Sequence, residues 1–175
     1  MWSVKLWGKL EGMDLVVLEE IRRLKYRYLR AVDLKLWDEL EDTFTPDATG
    51  DYGTLSYNGE PLRFGSRAEI LGFLRDKLGT TMITAHYAGQ PEIDVDGDTA
   101  TGRWALSDRI IVPEHKVIIE GAAFYEDTYR RCPDGAWRMS HIGYVRTYES
   151  MFSFAELPGY RLTANRWAVA GKQGE

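Results

Sequence analysis

A chain of 175 residues, 44% hydrophobic and 13% aromatic, is the size of one domain and apolar enough to bury a real core. Its net charge of −5, with lysines and arginines scattered, lacks the basic stripe that a nucleic-acid surface needs, so no nucleic-acid partner is expected. No apolar run approaches the ~20 residues that span a bilayer, and the single Cys132 has no partner for an internal disulfide.

Residues 1–13 carry Lys5 and Lys9 among interrupted apolar residues, without the continuous apolar core of a secretory signal. They read as an N-terminal extension, with Met13 a candidate alternative start and a cytoplasmic, reducing setting expected. Asp14 is the expected N-cap of a helix over 15–36. In it Leu15, Leu18, Ile21, Leu24, Tyr28, Leu29, Val32 and Leu36 share one broad arc at about 100° per residue. Trp37 and Leu40 continue the pattern towards Phe44, and Thr45-Pro46-Asp47 is expected to end it. The segment 50–57 reads as a short strand, followed by an Asn58-Gly59 turn.

Ser66 and Glu69 have capping-box spacing. The helix they open should turn Ile70, Phe73, Leu74 and Leu78 inward and end at Gly79. From Thr80 the period changes to two, predicting long strands near 81–95, 99–112, 115–131 and 136–148, with turns at Asp96-Gly97-Asp98 and Pro133-Asp134-Gly135. Helices followed by a long antiparallel meander predict an α+β domain over 14–149, with a pocket between sheet and helices. The tail, 150–175, holds the apolar cluster Met151, Phe152 and Phe154, which would serve as a lid, a subunit contact or plain packing against the sheet.

Several polar residues fall where apolar ones belong. Asp33 is at the edge of the first helix's apolar arc, where a carboxylate is either solvated or paired. Tyr28 is at the opposite edge, about 140° away, where a tyrosine is commonly core. His86 occupies a strand with alternating faces, Thr84-Ala85-His86-Tyr87; a lone strand histidine is more often structural, yet a nearby carboxylate would make it a tuned base. His115 and His141 carry weaker signals. Arg146, near the end of the last strand, would make a surface ion pair or, pointing inward, require an anionic or carbonyl partner. No His-x-x-x-His or Cys-x-x-Cys pair marks a metal site, and Asp94 to Asp98 reads as a hairpin turn. Phosphate-binding loops and a Gly-x-Ser-x-Gly elbow are also lacking, so neither metal nor cofactor is expected.

The stretches Arg27 to Gly53, Thr84 to Trp104 and Tyr125 to Glu149 together resemble SnoaL-like proteins of the nuclear transport factor 2-like superfamily. They look nearest to scytalone dehydratases and bile-acid 7α-dehydratases. The resemblance implies a cone-shaped barrel, a curved antiparallel sheet packed against the N-terminal helices. It also implies that Asp33 pairs with His86, that Tyr52 lines the pocket, and that Tyr28 and Arg146 complete its polar groups. Two departures stand out: no second pocket histidine matches that of scytalone dehydratases, and Val32 stands where those enzymes have a tyrosine. The implied activity is a cofactor-independent lyase, a dehydratase, acting on a small hydrophobic, polycyclic or steroid-like carbonyl compound. A ketosteroid-type isomerase, a polyketide cyclase and a non-catalytic small-molecule-binding module are the alternatives. A homodimer or homotrimer, formed through the outer sheet or the tail, is implied as well.

Overall fold

The computed structural model describes residues 15–55 and 59–168. The expected N-terminal extension, the Asp14 cap and Asn58 of the expected turn lie outside the described residues. Helix α1, Leu15–Leu34, buries the middle of its apolar arc: Val17, Leu18, Ile21, Leu24, Tyr28, Leu29 and Val32. The two ends of the arc, Leu15 and Leu36, are exposed. A short α2, Trp37–Asp42, follows and inserts Leu40 into the core. Helix α3, Arg67–Lys77, begins at Ser66, whose Oγ accepts the Glu69 N–H at 3.3 Å while Glu69 Oε2 accepts the Gly65 N–H at 2.8 Å. Its C-cap is Leu78, one residue before the expected Gly79.

Six strands complete the fold: β1 Phe44–Leu55, β2 Pro61–Phe64, β3 Ile83–Asp96, β4 Thr99–Val112, β5 Val117–Arg131 and β6 Trp137–Ser153. They form one sheet in the order β2-β1-β6-β5-β4-β3, in which β1 runs parallel to β6 and every other neighbouring pair is antiparallel. The expected cone-shaped, wholly antiparallel barrel is therefore wrong: the sheet is mixed and open. Closure would require its two edges to meet with matched tilt and stagger. The edges here are the four-residue β2 and the fourteen-residue β3, which do not pair. The face is closed by helices instead, with α1 packed on β3 and α3 on β1.

Alternation along β4 shows how the sheet divides. Ala100, Gly102, Trp104, Leu106 and Asp108 are buried, while Thr101, Arg103, Ser107 and Arg109 face outward. On the outer face Tyr87, Phe124, Val145 and Tyr148 are exposed. Strand β6 continues to Ser153, past the expected end at 148, pairing Met151 with Ile119 and Phe152 with Ile118. The start of the expected tail is thus sheet, followed by a 3-10 turn at Phe154–Glu156 and a ring contact between Phe154 and Tyr160. Among the described residues no helix is long and apolar enough to cross a membrane.

Candidate active site

A cavity of about 420 Å³ lies between the inner sheet face and helices α1 and α3. Most of its wall is apolar: Val32 from α1, Leu62 from β2, Phe73 and Leu74 from α3, Leu106 and Ile110 from β4. The polar groups converge on it from six elements. His86 comes from β3, Asp108 from β4, Tyr125 from β5, Tyr144 and Arg146 from β6, and Tyr28 and Tyr52 from α1 and β1.

Asp33 stands in the last turn of α1, behind His86. Its Oδ2 accepts the His86 backbone N–H at 2.9 Å, and its Oδ1 lies 2.7 Å from His86 Nδ1. Two contacts from one carboxylate fix both the strand and the ring. Because a carboxylate accepts, Nδ1–H donates in this contact, and Nε2 is the ring nitrogen that Asp33 leaves unengaged. The ring is 11% exposed and the carboxylate 21%, so the pair is largely withdrawn from water but reachable from the cavity.

Asp108 is the direct cross-strand neighbour of His86, which places both on the same face. Its carboxylate is engaged by Arg146 in a fork, Nη1 to Oδ1 and Nη2 to Oδ2, each at 2.7 Å. The fork reaches from β4 to β6 over the intervening β5, at Gly121. A Cβ on Gly121 would stand 2.7 Å from Arg146 Nη1 and 2.7 Å from the Tyr148 carbonyl oxygen, so only glycine leaves room for the bridge. Arg146 Nε is buried without a hydrogen-bond partner.

Four tyrosines line the cavity in contact with one another. Tyr52 stacks on Tyr144 at 4.8 Å between ring centroids, Tyr144 meets Tyr125 edge-on at 6.0 Å, and Tyr125 meets Tyr28 at 6.5 Å. Tyr52 reaches this stack because Gly53 has φ +57° and passes so close to the Tyr144 carbonyl that a Cβ would lie 2.4 Å from its oxygen. Burial holds the phenols of Tyr28, Tyr52 and Tyr125 protonated well above their usual range. They are therefore donors at any ordinary pH. The Tyr52 hydroxyl is buried and makes no well-formed hydrogen bond, its polar neighbour being the Tyr28 hydroxyl.

Of the five residues singled out by sequence, His86, Tyr28, Tyr52 and Arg146 line the cavity and Asp33 grips His86 from outside it. Sequence reasoning missed Asp108, Tyr125 and Tyr144. Asp108 had a readable signal, a carboxylate on the apolar side of an alternating strand, in step with Trp104 and Leu106. The other histidines are elsewhere. His115 is exposed in the turn between β4 and β5, and His141 Nδ1 meets Thr49 Oγ1 at 2.7 Å beside a separate polar cleft. Among the described residues no group of three metal-ligating side chains comes together.

Helices laid on one face of an open sheet, over a cavity whose wall includes a histidine held by an aspartate, make a fold of the nuclear transport factor 2-like type. The chain belongs to the SnoaL-like domain family, whose model matches residues 14–143. It is 30% identical to an uncharacterized protein of Mycobacterium tuberculosis over 75% of this chain and 86% of that one. Among solved structures it is similar to a Novosphingobium aromaticivorans protein provisionally named a scytalone dehydratase, with a TM-score of 0.69 and 21% identity over 78% of this chain and 87% of that one. It is likewise similar to the hexachlorocyclohexane dehydrochlorinase of Novosphingobium barchaimii, with a TM-score of 0.66 and 21% identity over 79% and 91% of the two chains. These likenesses make it a distant relative of both enzymes by fold.

Proposed function

We propose that the chain is a cofactor-independent lyase, a dehydratase, that acts on a small, mostly apolar carbonyl compound of fused-ring shape. The observation that carries this reading is the two-point hold of Asp33 on His86, which leaves Nε2 unengaged by the carboxylate at a cavity whose Tyr52 hydroxyl makes no well-formed hydrogen bond. Nε2 takes the proton next to the substrate's ketone, and the electron pair moves into an enolate. The Tyr52 hydroxyl, with Tyr28 beside it, donates to the enolate oxygen; a donor preorganised in a water-poor site is worth most where charge develops. The enolate then expels the β-hydroxyl, which receives the proton held on Nε2 and leaves as water. One base serving both steps favours removal from a single face of the substrate.

Arg146 is read as a fixed part of the wall rather than as a clamp for a substrate carboxylate, because both of its Nη atoms already serve Asp108. An uncharged substrate follows from that reading. A cavity of about 420 Å³ with apolar walls suits a compact ligand. The test is a panel of β-hydroxy ketones on decalin, tetralone and steroid frames, followed by the absorbance of the conjugated enone. His86→Ala should lose about 10²–10⁴-fold in turnover while keeping its circular dichroism, and near-wild-type turnover in that variant would remove His86 as the base. Deuterium uptake from heavy water without loss of hydroxyl would instead identify an isomerase. Binding with neither exchange nor turnover would identify a non-catalytic carrier.

A further inference from the structure

Helix α1 ends in a Schellman-type cap: the Leu36 N–H donates to the Ala31 carbonyl at 2.9 Å and the Lys35 N–H to the Val32 carbonyl at 3.3 Å. The residue at the left-handed position of such a cap is usually glycine. Here it is Lys35, with φ 58°, a conformation that a side chain makes costly. Two other non-glycine residues among those described have positive φ, Gln90 and Lys116, and both are exposed. Lys35 is 7% exposed. A strained backbone and a buried ammonium at one position are each unfavourable, and a residue that carries both points to a role beyond ending a helix.

Its side chain shows which role. Lys35 Nζ donates to Thr84 Oγ1 at 2.8 Å, and Thr84 is two residues before His86 on β3, on the same inner face. Lys35 is itself two residues after Asp33. The ammonium thus sits at the joint between the helix end that carries the carboxylate and the strand that carries the ring. Burial lowers its pKa to about 8 and attraction to Asp33 works against that fall, so Lys35 and Asp33 feel each other.

We infer that Lys35 is a positioning residue for the Asp33–His86 pair, a buried cation that holds the pair's charge state and geometry from behind; this rests on the reading of that pair as the acid–base machinery. Its positive charge attracts the Asp33 carboxylate and, by the same Coulomb interaction, repels any positive charge added to the ring beyond it, while the bond to Thr84 ties the end of α1 to the strand that carries His86. The other charged groups around the ring are Asp108 from β4, Arg146 and Glu149 from β6 and Lys77 from α3. Asp108 and Arg146 compensate each other in their fork, and Glu149 lies 3.4 Å from Arg146. Asp38 and Glu39 of α2 share the shallow cleft outside Lys35, and Glu39 is paired with Arg30.

The experiment needs no substrate. The chain has three histidines, so the ring nitrogens of His86 are followed by long-range proton–nitrogen correlation spectra from pH 4 to pH 9 and assigned by the signal lost in His86→Gln. Lys35→Met keeps the length without the charge. Lys35→Gly removes the charge and also the backbone strain, so it keeps the helix end folded. Both variants should move the His86 titration midpoint upward by ~0.5–1 pH unit, whereas Lys35→Arg, which keeps the charge, should stay within ~0.2 unit of the wild type. An unmoved midpoint in Lys35→Met and Lys35→Gly, or a shift in Lys35→Arg as large as in Lys35→Met, overturns the proposal. Loss of turnover in His86→Ala is read separately, so either conclusion can fail without the other.

Discussion

The Tyr52 hydroxyl is a donor with only a poorly formed contact to the Tyr28 hydroxyl, inside a cavity whose other phenols touch one another's rings. Leaving a buried hydroxyl unsatisfied costs on the order of 1–3 kcal/mol, so the free chain is stabilised little or not at all by that oxygen. Tyr52→Phe should therefore leave stability unchanged or raise it by up to about 1 kcal/mol in urea unfolding. The same change should lower turnover of a β-hydroxy ketone by about 10²–10³-fold if the hydroxyl meets the developing oxyanion. A loss of stability with unaltered turnover would make Tyr52 a structural residue. At this scale much of the site was legible in the sequence. Asp33 and His86 stood out because each interrupts an apolar face at the period of its own element. Which anion serves Arg146 is not legible in the sequence, because Asp108 is 38 residues away and meets it only across the width of β5. Tyr125 and Tyr144 gave no sign, since an inward tyrosine on a strand is indistinguishable from ordinary core until its neighbours are known.

Between elements, the joint of α1 with β5 is a fully buried ion pair. Lys25 Nζ lies 2.7 Å from Asp127 Oδ2, both side chains being 0% exposed, and the ammonium also sits 3.2 Å from the centroid of the Tyr125 ring. The Tyr129 hydroxyl donates to the same carboxylate oxygen at 2.7 Å and accepts from Trp104 Nε1 at 2.9 Å. Removing one partner strands the other in the core. Lys25→Met should thus cost about 3–5 kcal/mol, because a carboxylate is left buried and uncompensated. Lys25→Met combined with Asp127→Asn removes both charges and keeps an acceptor for Tyr129, so it should recover at least half of that loss. A single-variant cost below about 1 kcal/mol would show the pair to be solvated in practice. Lys25 was hidden because it occurs within the apolar arc of α1, and a lysine there reads as a side chain curling out to solvent. Local pattern located most helices and strands, but not the parallel partnership of β1 with β6, which joins segments about ninety residues apart. The helical pattern ends before Pro46, α2 stopping at Asp42, and β1 runs through the proline. It occupies the irregular stretch between Phe44 and Thr49 where the register with β6 shifts, so its missing N–H breaks no ladder there.

For the molecule as a whole, the inner face that forms the cavity also sets the response to alkali. Tyr28, Tyr52, Tyr125 and Tyr129 are buried, and burial raises each phenol well above the usual 10.0. Below pH 10 these groups are neutral in both folded and unfolded chains, and their contribution to stability is fully present. As the pH rises through 10 the unfolded chain ionises while the folded one does not, so the folded state binds more protons and its stability falls. Each such phenol contributes a slope of about 1.4 kcal/mol per pH unit, and the four together about 5–6. Lys25 and Lys35 act in the opposite sense. Burial lowers both to about 8 from 10.5, so between those values the unfolded chain holds the extra protons and stability rises with pH. The expected profile is level or rising from pH 8 to pH 10 and then falls steeply. The chain has ten tyrosines, so phenolate absorbance should appear in two stages as the pH is raised. The exposed rings ionise first with circular dichroism intact, and the buried set follows only as that signal collapses. Ionisation of all ten in one step near pH 10, with the fold retained, would mean that water reaches the cavity's phenols freely and that the site is not the dry pocket its chemistry requires.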